Sequence, residues 1–295
     1  MATVKAYLGV ARAPFLLLPV TLVAAGAAAA AYGGAFSWPR TLLALVGLVA
    51  AHVGVNVLNE VSDMRTGIDL HTARTPFSGG SGTLPGRAMS ARTATAFGVA
   101  ACAVALVIGI WFVTRVGWSL LPVLALGAVA ILFYTDVFAR AGVGELFAGL
   151  GLGALPVWGA ALVQGGTPGP GAVAAAVPAF FMTFNLLLLN EFPDEQADRT
   201  GGRRNLVVLF GRNGAAAVYA AAALATPAAI GVAVAVRALP PVALLAVVPS
   251  LLLVAPLRWA LRRPRQPVPV PALAANVAWN LATNAMLAVS FMISR

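Results

Sequence analysis

Acidic residues are scarce in this chain: nine among 295. Charged residues of both signs make up only 9%, against roughly a quarter of a soluble domain. That scarcity excludes an ordinary soluble globular protein. Cysteine is nearly absent. The single Cys102 lies within an apolar run, so a disulfide framework and a thiolate metal site are both excluded, and Cys102 reads as a small packing residue. No paired histidines are present to favour zinc.

Hydrocarbon is abundant. Hydrophobic residues make up 60% of the chain, in runs close to the roughly 20 residues that cross a bilayer. Candidate spans lie near 8–32, 40–63, 93–114, 117–139, 143–164, 171–192, 213–236, 240–261 and 270–293. The expected fold class is all-α, a polytopic membrane bundle of about nine transmembrane helices in one integral domain, 1–295. With the N-terminus in the cytoplasm, fifteen basic residues fall inside and four (Arg40, Arg115, Arg237 and Arg295) outside. This is the positive-inside pattern. The net charge of +10 therefore reflects membrane sidedness and implies a lipid bilayer as partner, not nucleic acid. A cleaved signal peptide is a rival reading of the start, from Lys5, the apolar stretch and the Ala-rich run near 24–31. Arg12 interrupts that pattern, and removing the first helix would leave eight spans.

Seven of the nine acidic residues sit in two clusters. The first is Asn59-Glu60-Val61-Ser62-Asp63 followed by Asp69. The second runs from Asn190-Glu191 through Asp194-Glu195 to Asp198. A carboxylate near hydrocarbon is costly unless paired or bound to metal. His52, Asn56, Asn59, Glu60 and Asp63 share one helical stripe, and Asn190, Asp194 and Asp198 repeat the arrangement at i, i+4 and i+8. Asn59, Asp63, Asp69, Asn190, Asp194 and Asp198 are thus candidate metal ligands. Their hard oxygens suit Mg²⁺ held together with a substrate's phosphates. The plainer alternative is a pair of solvated helix ends balanced by local arginines. Each cluster ends an apolar helix and precedes a basic, Gly-containing loop. This predicts two related halves, about 1–140 and 141–295, with both motifs cytoplasmic.

Pro193 predicts a kink or stop in the second motif helix. Arg203 and Arg204 follow the second cluster directly, and metal beside arginine is the combination that binds diphosphate. Arg74 and Arg87 carry the same two readings, diphosphate contact or membrane topology. The run Ser78-Gly79-Gly80-Ser81-Gly82-Thr83 reads as a flexible linker or as a lid over an anion. Tyr134 ends an apolar helix at the cytoplasmic face. Asn276, Asn280 and Asn284 form a stripe that reads as interhelical glue or as a cavity lining. His52 reads as a packing residue.

Taken together, these residues resemble the UbiA-type intramembrane prenyltransferases. The likeness rests on Asn59-x-x-x-Asp63 with Asp69, and on Asp194-x-x-x-Asp198 with Gly202-Arg203-Arg204, after helices two and six of nine. Tyr134 and Arg140 fall where that family places a tyrosine and a basic residue. The spacing of the first motif is most similar to the branch acting on 1,4-dihydroxy-2-naphthoate for menaquinone. Glu60 stands where Asp is frequent, and the basic tail reads Gly-Arg-Arg-Asn rather than Gly-Lys-Arg-Thr. The resemblance implies Mg²⁺ as cofactor, held by Asn59, Asp63, Asp194 and Asp198, with Asp69 joining when substrate closes the site. It implies an isoprenyl diphosphate and an aromatic acceptor as substrates. Asp63, Asp194, Asp198, Arg140 and Tyr134 become catalytic candidates, and Arg74, Arg203 and Arg204 diphosphate contacts. It also implies an inner-membrane location. Other acceptors (a hydroxybenzoate, a tetrapyrrole, a lipid glycerol) fit the same chemistry. An ion-coupled transporter fits intramembrane carboxylates in a repeat, but transporter sites lie near the midplane.

Overall fold

Hydrocarbon offers a backbone no hydrogen-bond partners, so a chain this apolar satisfies its amides within helices. The computed structural model describes residues 2–72 and 74–295. Among the described residues there is no strand, and nine helices are long and apolar enough to cross a membrane. They are α1 (Ala13–Tyr32), α2 (Trp38–Thr66), α3 (Ala91–Val116), α4 (Trp118–Ala141), α5 (Gly144–Leu162), α6 (Pro170–Thr200), α7 (Leu206–Ala235), α8 (Pro241–Arg262) and α9 (Val270–Ile293). A short helix, Val4–Val10, precedes them; the Thr3 side chain caps it by accepting from the Ala6 amide. The chain turns into α1 at Arg12, whose φ of 52° is left-handed.

Small residues set the packing. The alanines of α1 from Ala27 to Ala31 are buried, as are Ala172, Ala175, Ala176 and Ala179 of α6. A Cβ on Gly26 would stand 2.1 Å from the Val157 carbonyl, so α1 and α5 touch backbone to backbone. Such close approach replaces the hydrophobic drive that lipid removes. Helix α2 pairs chiefly with α3, while α6 packs on both α5 and α7, so each acidic motif and its following loop join two helices that touch. Leu106, Val107 and Ile110 on α3 and Leu132 on α4 stay exposed, an outer surface suited to lipid tails.

Several sequence expectations shift. Helix α6 passes through Pro193 unbroken to Thr200, and α2 reaches Thr66. A proline removes one donor, and a neighbouring element can steady the weakened segment. Here the Arg212 guanidinium donates to the Phe192 carbonyl (3.1 Å) and to Glu195 (3.0 Å), and also to the carbonyls of Pro264 (2.8 Å) and Gln266 (3.0 Å). Helix α7 starts seven residues earlier than the 213 expected, because Leu206–Phe210 forms a helical turn before a break at Gly211 (φ 66°, ψ 169°). The asparagine stripe is glue at its first member. Tyr219 donates to Asn276 (2.9 Å), Asn276 to the Asn185 carbonyl (3.2 Å), and Asn185 to the Tyr219 carbonyl (3.0 Å), closing a triad across α6, α7 and α9. Asn284 donates to the Asn280 side chain (2.9 Å). None of the three asparagines of the stripe lines the central cavity.

Candidate active site

The ends of α2 and α6 meet through one arginine. Arg203 lies on the tight Gly201–Asn205 turn, where Gly202 takes a left-handed φ of 81°. Its guanidinium pairs with Asp63, donates to the Asn59 side-chain oxygen Oδ1 (3.0 Å), and reaches Asp198 (3.1 Å). Asn59 also donates to Asp63 one turn on (2.9 Å). Asn205 caps α7 by accepting from the Val208 amide, and its own amide group donates to the other oxygen of Asp198 (2.8 Å). Burial works against the Arg203 charge, but Asp63 and Asp198 outweigh it and hold the guanidinium above its ordinary value.

The glycine-rich loop packs onto this cluster rather than hanging as a linker. Its Ser81 hydroxyl donates to Glu60, and the Ser81 amide donates to the same carboxylate (3.3 Å). Glu60 is fully buried and faces the loop. The Gly79 amide donates to Asp194 (3.1 Å), so the loop joins the two motifs. Gly80 holds a φ of 70°, and a Cβ there would sit 2.7 Å from the Asp69 carboxylate. Asp69 stands just past α2. Burial, then repulsion from Asp63 and Glu60, pushes its pKa up to about 7.

A cavity of about 170 Å³ opens beneath the loop. Asn59, Asp63, Asp69, Tyr134, Asn190, Asp194, Asp198 and Arg203 all line it. Arg74, Arg140 and Arg204 do not. Arg74 donates to the Asp69 carbonyl (3.2 Å) and packs beside Gly82. Arg140 is exposed near Gly202, and the backbone of Arg204 is tied to the Ala139 carbonyl (2.9 Å). Arg12, His52, Thr183 and Glu191 are among the lining residues that the sequence did not single out for the site. Arg12 carries a buried Nε with no partner. His52 was expected to be a satisfied packing residue, yet its Nδ1 has no partner. Its place on the Asn59–Asp63 stripe was the available signal. Glu191 answers to Glu60 in a repeated Asn-Glu-x-x-Asp pattern.

The donor set fits a hard divalent cation. All six candidate ligands offer oxygen, and one oxygen each of Asp69 and Asp194 is buried without a partner. Among the described residues no three acidic, His or Cys groups converge on a single point, and Arg203 pairs with both Asp63 and Asp198.

Two π-helical turns border the cavity. Tyr134–Phe138 interrupts α4 and Leu150–Ala154 interrupts α5, so Tyr134, Gly151 and Leu152 are brought to the wall. A second, apolar cavity of about 440 Å³ lies among α2, α3, α4 and α5. Ile131, Gly151 and Leu152 line both, so the polar site opens into the apolar groove.

Known proteins are similar to this chain in sequence and fold. A 1,4-dihydroxy-2-naphthoate octaprenyltransferase of Bacillus subtilis (strain 168) is 26% identical over 172 residues, which span 57% of this chain and 54% of that relative. The chain thus aligns with about half the length of this curated relative. A UbiA homologue from Archaeoglobus fulgidus bound to GPP and Mg²⁺ shares the fold (TM-score 0.68, 15% identity, 98% of this chain and 99% of that one). So does the apo structure of a UbiA homologue from Aeropyrum pernix K1 (TM-score 0.69, 18% identity, 94% and 98%). The UbiA prenyltransferase family pattern matches residues 17–282, and with nine apolar helices and paired acidic motifs this chain is an integral membrane protein that belongs to that family.

Proposed function

We propose that this protein transfers an isoprenyl group from a prenyl diphosphate to an aromatic acceptor, releasing pyrophosphate. The observation that carries the reading is the continuity of two compartments. An acidic, arginine-bearing cavity opens directly into an apolar groove, the shape of a ligand with a charged head and a hydrocarbon tail. Asn59, Asp63, Asp69, Asn190, Asp194 and Asp198 would hold Mg²⁺, which when bound neutralises phosphate oxygens and stabilises the leaving group. Arg203 and Arg12 supply guanidinium contacts to the diphosphate. Arg74, Arg140 and Arg204, outside the cavity, draw the anionic donor toward it. The C1–O bond of the donor breaks to give an allylic cation and pyrophosphate. The Tyr134 ring, on the wall of the polar cavity, stabilises that cation. An electron-rich ring carbon of the acceptor then bonds to C1 and loses its proton. Apolar walls and the glycine-rich loop keep water from the cation.

The acceptor best supported is 1,4-dihydroxy-2-naphthoate, from the Bacillus subtilis relative and the spacing of the first motif. The basic bias of the loops supports a cytoplasmic site on the cell's inner membrane, and the repeated Asn-Glu-x-x-Asp pattern supports two related halves. The test is pyrophosphate release by purified protein with Mg²⁺ and geranylgeranyl diphosphate, across an acceptor panel with an EDTA control. Release that needs both Mg²⁺ and 1,4-dihydroxy-2-naphthoate is expected. Release with only another acceptor would replace the naphthoate, and none with any acceptor or chain length would overturn the transferase reading.

A further inference from the structure

Two side chains at the inner end of the cavity have no partner and no part in the chemistry assigned so far. His52 on α2 is 4% exposed and Thr183 on α6 is 3% exposed. Both line the cavity, and His52 Nδ1 and Thr183 Oγ1 make no hydrogen bond. A buried polar atom without a partner carries a desolvation cost, so two at one place point to a ligand that completes them. Their depth matches. His52 lies eleven residues before Asp63 and Thr183 eleven before Asp194, each about 16 Å along a helix from the carboxylate of its own motif. Both therefore lie on the membrane side of the acidic motifs.

The surroundings set the ligand's chemistry. Leu18, Ile131, Leu152 and Leu186 bring apolar surface to the same cavity, Phe15 and Phe147 bring aromatic surface, and Arg12 shares the wall with His52. Imidazole and hydroxyl can each donate or accept, and neither requires a charged partner. From this we infer that His52 and Thr183 hold phenolic oxygens of the acceptor ring, orienting a hydroxylated aromatic toward the allylic carbon. The inference rests on the prenyl-transfer reading and names the acceptor's subsite within it.

The test separates the two. Wild type, His52→Leu and Thr183→Val (the latter a near-isosteric change) are purified in detergent with Mg²⁺. Equilibrium binding is measured for geranylgeranyl thiodiphosphate, an unreactive donor analogue, and then for 1,4-dihydroxy-2-naphthoate on the analogue-loaded protein. Each variant is expected to weaken naphthoate binding by roughly fivefold to tenfold, the loss of one hydrogen bond, with analogue binding held within about twofold. Unchanged naphthoate binding in both variants overturns the subsite, as does an equal loss of analogue binding. Wild type that binds the analogue but not the naphthoate also overturns it. Wild type that fails to bind the analogue instead defeats the prenyl-transfer reading itself.

Discussion

At the scale of single residues, the acidic motifs and Arg203 form one electrostatic unit. Asp63→Ala or Asp194→Ala is expected to abolish Mg²⁺-dependent pyrophosphate release while the protein still elutes as a folded monodisperse species. Full activity in either variant would remove the metal assignment. Arg203→Ala is expected to raise the donor KM about tenfold or more, since a charge-assisted contact contributes roughly 1.5–3 kcal/mol. The same change leaves Asp63 and Asp198 without their cation. Its melting temperature should therefore fall, and Mg²⁺ should restore it further than it raises the wild type. A donor KM that stays put would assign Arg203 to structure alone. The carboxylates were legible in the sequence because charge in hydrocarbon announces itself. Arg12, His52 and Thr183 were not, because one polar residue in an apolar helix looks alike whether it faces a neighbour or a cavity. Only the packing of α1, α2 and α6 around a shared space tells the two apart.

At the scale of elements, the glycine-rich loop decides whether the two motifs act together. Ser81 fastens it to Glu60 and Gly79 fastens it to Asp194. Gly80→Ala would place a methyl group against Asp69 and force a side chain into the left-handed region, where non-glycine residues are strained by roughly 1 kcal/mol or more. Turnover is expected to fall at least tenfold with little change in melting temperature; near-normal turnover would show that the loop is not part of the site. Helix identity was legible from hydropathy, since lipid leaves the backbone few choices. The helix ends were less so. Pro193 looked like a stop, yet α6 runs through it beside the contacts of Arg212, which come from elements far away in the chain. Gly211 looked like loop, yet it is a break within α7.

At the scale of the whole molecule, the proposed function makes the junction of the two cavities the link between head chemistry and tail binding. Gly151 sits at that junction, and a Cβ there would already approach Ala130 at 2.8 Å. Gly151→Leu is expected to narrow the passage. The kcat/KM for geranylgeranyl diphosphate should then drop more than that for geranyl diphosphate, by about tenfold in the ratio, the worth of roughly 1.4 kcal/mol. Equal losses for both donors would separate the groove from the tail. The nine-helix architecture was readable from composition, but the groove was not. The π-helical turn in α5 brings Gly151 and Leu152 to its wall, and turns of that kind leave no mark in hydropathy.

The bridge from Arg203 to Asp63 and Asp198 also bears on how the molecule is made. Small domains built around a structural metal often stay unfolded until the ion arrives. Here the ribosome supplies the counter-ion as part of the chain, 140 residues downstream of Asp63. On the proposed function, insertion and helix assembly can finish in a cell short of free divalent cations, with one positive charge already shared between two carboxylates. Loading of Mg²⁺ would then be an exchange of one cation for another rather than the filling of bare acid.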